Sequence, residues 1–180
     1  MPLLGDPGHA EMVDCLLAIA NQIEKPSAIV VISAHWEAPQ ATITAGANPE
    51  LIYDYHGFPS EAYQLTYPAP GNPALAARLQ DALRRAKINT NLDSLRGFDH
   101  GMYVPLKIMY PEAEIPCVQL SLLNHLDPAA HIELGYGLRS IADQNLLVIG
   151  SGFSFHNMQA FFQPGSTDTD AKNAAFEDWL

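Results

Sequence analysis

The chain has 180 residues, 48% of them hydrophobic, with 9 basic against 20 acidic side chains and a formal net charge of −11. That length suits one buried core rather than two independent domains, and the charge repels phosphate backbones and anionic lipid surfaces, which argues against nucleic acid and membranes as partners. No apolar run reaches the roughly 18 residues of a membrane span, and the N-terminus carries no basic region followed by an apolar stretch, so a cytoplasmic protein is expected.

Met12, Leu16, Ile19 and Ile23 recur every three or four residues, which predicts a helix over 9–24. Ser27 to Ala34 follows as a short β-branched run, the pattern of a strand buried on both faces, and its carboxyl end delivers His35. Residues 41–45 alternate weakly and predict another strand. From 48 to 73 the chain is rich in Pro, Gly and aromatic residues, with Tyr53, Tyr55, Phe58, Tyr63 and Tyr67 crowded together. This stretch is expected to be mostly loop, with a short strand near 64–67. A long ordered loop in a compact domain is often functional.

Asn72 and Pro73 supply an N-cap and a first-turn proline for a helix whose stripe of Leu75, Leu79, Leu83 and Ala86 ends near Lys87. A loop carrying His100 is expected next, then a short helix over 103–110 and a strand over 115–122. Asp127 and Pro128 repeat the cap and proline, opening a helix to about Ala142, and Leu146 to Ile149 form a buried strand running into Gly150-Ser151-Gly152. Short apolar strands alternating with amphipathic helices predict a single α/β domain with a central, largely parallel or mixed sheet flanked by helices. Cys15 and Cys117 sit in apolar helical and strand patterns without paired spacing, so they read as buried thiols rather than a disulfide.

In open α/β sheets ligands collect beyond the carboxyl ends of the strands. His35 and His156 both follow buried strands there, while His100 lies in Gly97-Phe98-Asp99-His100-Gly101. Imidazole is the commonest metal ligand and titrates nearest neutral pH, so three histidines in such contexts point to metal-assisted chemistry. Asp99 beside His100 and Glu37 near His35 are candidates to orient the rings. His56, among aromatics, is the next candidate, with loop packing as its favoured reading. His9, His125 and His131 flank or lie within helices and read as structural. No Gly-x-Ser-x-Gly elbow and no phosphate-binding glycine loop follows a strand, which weakens serine hydrolase and nucleotide readings.

Four segments occur in order through residues 2–160: Ser33-Ala34-His35-Trp36-Glu37, Tyr63 to Pro73 (YQLTYPAPGNP), Gly97 to Gly101 (GFDHG) with Pro105-Leu106, and Gly150 to Asn157 (GSGFSFHN). Together they resemble the DODA-type class III extradiol ring-cleavage dioxygenases, relatives of 4,5-DOPA dioxygenase that share a superfamily with protocatechuate 4,5-dioxygenase. The resemblance implies a small catecholic substrate opened with O2, iron(II) for activity or zinc(II) as found, His35 and His156 as metal ligands, and His100 as the acid/base. A metal that chelates both catechol oxygens and admits dioxygen tolerates only about three protein ligands. A base near neutral pKa must take a hydroxyl proton and return one, worth about 10² to 10⁴ in rate. A homo-oligomer is compatible with this reading.

By the same resemblance the chain is expected to be truncated at both ends, with a first metal histidine of the family preceding residue 1 and a further histidine following residue 180. Two alternatives stay open: a non-catalytic Memo-like binding protein on the same fold, and a zinc-dependent hydrolase using metal-bound hydroxide with Glu37 as base.

Overall fold

Ile29, Val30 and Val31 run up the middle of the sheet with their β-branched side chains buried on both faces, as a strand flanked by two parallel neighbours requires. In the computed structural model, which describes residues 2–141, 145–155 and 167–180, the strands are β1 (Ala28–Ala38), β2 (Ala41–Thr44), β3 (Leu51–Ile52), β4 (Thr90–Asp93), β5 (Phe98–Asp99), β6 (Cys117–Leu123) and β7 (Leu146–Ser151). The helices are α1 (Ala10–Gln22), α2 (Pro73–Arg85), α3 (His100–Met109), α4 (Pro128–Leu138) and α5 (Thr167–Trp179). The main sheet has the order β4-β2-β6-β1-β7 and is mixed: β1 is parallel to β6 and β7, β2 is parallel to β4, and β2 meets β6 antiparallel. The expected α/β sheet is therefore present.

Alternation along β1 divides the core into two layers. Ile29 and Val31 face a cluster with Phe98, Met102, Tyr103 and Leu106, against which Leu16 and Ala20 of α1 also pack. Ala28 and Val30 face Ile43, Leu75, Leu79, Leu83 and Leu134, the layer of α2 and α4. The Asn72 carboxamide accepts the Leu75 N–H at 2.9 Å and Asp127 accepts the Ala129 N–H at 3.1 Å, so both predicted caps form.

Five expectations are corrected. The strand expected to be buried at 146–149 is the edge strand β7, with Val148 60% exposed. The strand expected to end at Ala34 continues to Ala38. The short strand near 64–67 is absent; a 3₁₀ turn over Ser60–Gln64 stands there instead, and the Tyr53 and Tyr55 phenols donate to the Leu65 and Ala62 carbonyls that a ladder would otherwise use. The helix expected at 103 opens three residues earlier, at His100. Cys15 is exposed while Cys117 is buried. α1 buries none of its residues fully, and Leu17 and Ile19 are each 42% exposed. Its apolar side chains are spread around the helix, so one side packs and the other, with Cys15, is left outside. Among the described residues, no helix is long and apolar enough to cross a membrane.

Candidate metal and acid/base site

His35 stands in an interruption of the central ladder. Ile32 pairs with Leu120 and Glu37 with Leu122, so five steps along β1 match two along β6. On the other side, pairing with β7 stops at Ser33. Residues 34–36 leave the ladder between these points, and a bulge of this kind re-aims a side chain that a regular strand would commit to one face. The buried Ser33 hydroxyl accepts the His35 main-chain N–H at 3.1 Å and fixes the bend.

The small parallel pair of β3 and β5 brings the second element. Leu51 pairs with Phe98 and Ile52 with Asp99, which carries Asp54 alongside the residue after Asp99, namely His100. Residue 97 must be glycine for this, since a Cβ there would lie 2.3 Å from the Glu50 carbonyl oxygen. Asp54 Oδ1 accepts the His100 main-chain N–H at 3.1 Å and lies 2.7 Å from the ring Nδ1. The other carboxylate oxygen is 3.8 Å from His35 Nδ1, and the two imidazole rings are 3.9 Å apart between centroids. The side chains of His35, Asp54 and His100 remain 28%, 24% and 25% exposed, so a small molecule can reach them.

Burial works against a charge on Asp54, but the hydrogen bonds from the His100 ring and main chain outweigh it and hold the carboxyl below its ordinary 3.8. The group is thus an anion at neutral pH and can only accept. An imidazole Nδ1 beside such a carboxylate can only donate to it, an arrangement that in a neutral ring leaves the lone pair on Nε2.

Behind His100 the tyrosines form the dry wall of the site. The Tyr55 ring meets the imidazole edge-on at 5.4 Å, and the Tyr103 hydroxyl donates to that of Tyr55 at 3.1 Å. Burial raises both phenols above their ordinary value, so they are neutral. Tyr53, Tyr63 and Tyr67 donate to the carbonyls of Leu65, Tyr55 and Tyr110. The aromatic loop is chiefly a self-bonded scaffold around Asp54.

Asp99 does not orient His100. Its carboxylate is fully buried and its Oδ2 accepts from Gln119 Nε2 at 2.9 Å and from Arg96 Nη2 at 3.2 Å, while the Arg96 guanidinium lies 4.3 Å over the Trp36 ring. The carboxylate that contacts the His100 ring is Asp54, which the sequence reading missed. Glu37 and His56 are exposed. His131 is structural, bonded at both nitrogens to Leu123 N–H and the Asp127 carbonyl. His156 lies outside the described residues.

One donor atom from each of His35, Asp54 and His100 falls within 4.8 Å of the others. Three donors on one zinc or iron ion at about 2.0 to 2.2 Å stand roughly 3 to 3.6 Å apart, so these atoms form a looser group than a closed metal shell. Two imidazoles and a carboxylate are also the donor type that non-haem iron(II) oxygenases employ. Of the three, His35 offers an imidazole that fits such a metal, while the Asp54 carboxylate and the His100 ring are bonded to each other.

Residues 8–180 match the family model described as the catalytic LigB subunit of aromatic ring-opening dioxygenase. The chain is 46% identical over 158 residues to a 4,5-DOPA dioxygenase extradiol of Beta vulgaris, covering 87% of this chain and 59% of that protein. It is 44% identical over 169 residues to the dioxygenase tasH of Hapsidospora irregularis, covering 89% and 52% respectively. A crystal structure of an uncharacterized protein from Escherichia coli K12 superposes with a TM-score of 0.69 at 37% identity, over 86% of this chain and 57% of that one. The chain thus spans between half and three-fifths of the length of these relatives.

Proposed function

The chain belongs to the LigB family of aromatic ring-opening dioxygenases, and from that premise we propose that it serves as a metal-dependent extradiol dioxygenase, opening a catecholic ring with O2. The observation that carries this reading is the convergence of His35, Asp54 and His100 at the open end of the sheet.

In this proposal His35 and His156 hold the metal, and His100 is the acid/base. Iron(II), when bound, supplies the redox chemistry toward dioxygen; zinc(II) suits the same donors and lacks it. The Nε2 lone pair of His100 takes a catechol hydroxyl proton and later returns it, with Asp54 balancing the charge of the imidazolium. Tyr55 and Tyr103 keep the far side of the ring dry. The two free cysteines support a cytoplasmic setting. A homo-oligomer is compatible with this function, and the −11 charge speaks against nucleic acid and anionic membranes as partners.

The test is oxygen uptake after anaerobic iron(II) loading, with a panel of catechols, followed by the absorbance of the ring-opened semialdehyde. Catechol-dependent uptake is expected, and His35→Ala should lose metal and turnover together. His100→Phe should keep its metal while turnover falls by about 10² or more, as loss of an acid/base does. Metal-loaded protein that takes up no oxygen would overturn the reading. Ester or amide hydrolysis without oxygen would point to a hydrolase instead, and parallel loss of metal in His100→Phe would make that residue a ligand.

A further inference from the structure

We infer that Asp54 is a positioning residue that sets the ring orientation and tautomer of His100, a role that rests on the acid/base reading above and sharpens it. Helix α3 lacks a side-chain cap of its own. Asp99 occupies the N-cap position of α3 and makes no side-chain capping bond, its Oδ2 being held by Gln119 and Arg96. The missing acceptor comes from 46 residues away, where Asp54 Oδ1 receives the first main-chain N–H of the helix.

The same oxygen also receives His100 Nδ1. A cap alone needs only the main-chain donor, so the second bond is what a purely structural role leaves unexplained. Sharing one oxygen between the N–H and the ring of a single residue locks the imidazole against the start of α3 and turns Nε2 away from the carboxylate. The register of β3 on β5 sets where this oxygen stands, and the edge of Tyr55 closes the other side of the ring. A rotation of His100 would break the Nδ1 bond and the Tyr55 contact at once. Asp54 Oδ1 is thereby engaged twice within the protein, both times by His100, while Oδ2 stands 3.8 Å from His35 Nδ1.

Asp54→Asn keeps an oxygen that can cap the main-chain N–H and removes the negative charge that favours a proton on His100 Nδ1. Three quantities are compared in wild type, Asp54→Asn and Asp54→Glu: the tautomer of His100 from ¹⁵N chemical shifts of histidine-labelled, zinc-loaded protein, metal content after identical loading, and kcat and KM for catechol-dependent oxygen uptake with iron(II). We expect the Nδ1–H tautomer in wild type and a shift toward Nε2–H in Asp54→Asn. Metal content and KM should stay unchanged while kcat falls about 10- to 100-fold, with partial recovery in Asp54→Glu. A wild-type tautomer and kcat in Asp54→Asn would overturn the role, and so would loss of metal in proportion to activity, which would make Asp54 a ligand. If wild type takes up no oxygen the ring-opening reading fails by itself, and the tautomer and metal measurements still decide the role of Asp54.

Discussion

Gly101 and Ser33 meet where no side chain fits between them: a Cβ on residue 101 would stand 2.3 Å from the Ser33 hydroxyl oxygen and 3.3 Å from His35 Cδ2. The first turn of α3 can approach the interrupted part of β1 only because residue 101 is bare. Ser33 is fully buried and its hydroxyl holds the His35 N–H, so it cannot swing aside without releasing the bend.

Gly101→Ala should therefore destabilise the protein by about 1 to 3 kcal/mol through overpacking, although alanine alone would favour a helix by about 1 kcal/mol. The displacement falls on His35, so metal affinity should drop as well. Urea unfolding and a zinc titration measure the two effects. Native stability with native affinity would show that α3 can shift at no cost.

A second prediction concerns the support beneath the site. Asp99 is fully buried between Gln119 and Arg96, and Gln119 is itself fixed by Thr44, whose hydroxyl accepts its main-chain N–H at 2.8 Å. Asp99→Ala leaves a partly buried guanidinium and a buried amide without their partner, and should cost about 3 to 5 kcal/mol. Gln119→Leu removes one neutral donor from the carboxylate and the acceptor of the Asp99 N–H, and should cost about 1 to 3 kcal/mol. Denaturant midpoints at equal m-value would establish the order. A Gln119→Leu protein less stable than Asp99→Ala would mean that the amide, rather than the charge, organises the network.

What could be read from the sequence was local. Asn72-Pro73 and Asp127-Pro128 announced their helices because cap and first-turn proline act on the next three residues, and the β-branched run of 28–32 announced a central strand because burial on both faces needs no partner's identity. Asp54 was not legible. Its position depends on two-residue strands whose pairing lies in a contact between residues 51–52 and 98–99, and no periodicity can appear in two residues. Asp99 looked like the partner of His100 since it is adjacent, yet neighbouring side chains diverge, and its carboxylate is claimed by Gln119 from a distant strand. The early start of α3 has the same cause: Gly101 reads as a loop residue until Ser33 is placed against it. Convergence of His35 with His100 was anticipated from their contexts, whereas the pairing of His35 with His156 falls outside the described residues.

The Asp54 carboxyl gives a pH prediction with a definite sign. Its folded pKa lies below the ordinary 3.8, so the folded state binds protons there less readily than the unfolded chain. The stabilisation is complete well above 3.8 and is lost as the pH falls through the folded value. Wild type should accordingly lose its advantage over Asp54→Asn between about pH 5 and pH 2, with a constant difference at neutral pH. Denaturant unfolding of both proteins across that range is the measurement. A difference that grows toward low pH would reverse the sign and show that the carboxyl is destabilised in the folded state.

The last prediction uses the two thiols, which the fold places in opposite environments. Cys117 is fully buried in β6, between β1 and β2, and donates to the Ile115 carbonyl at 3.2 Å. Burial pushes its thiol up to about 12, while Cys15 is exposed on α1. Since the thiolate is the reacting species, a disulfide reagent near pH 8 should modify one thiol per chain rapidly and a second only as the sheet opens. Cys15→Ser should abolish the fast phase and leave the slow one, and denaturant should merge both into one fast reaction of two thiols. The slow rate then reports opening of the central sheet, and it should rise in Gly101→Ala and Asp99→Ala in step with their loss of stability, if closure outpaces modification. Two fast thiols in the native wild-type protein would show that β6 is not sealed between its neighbours.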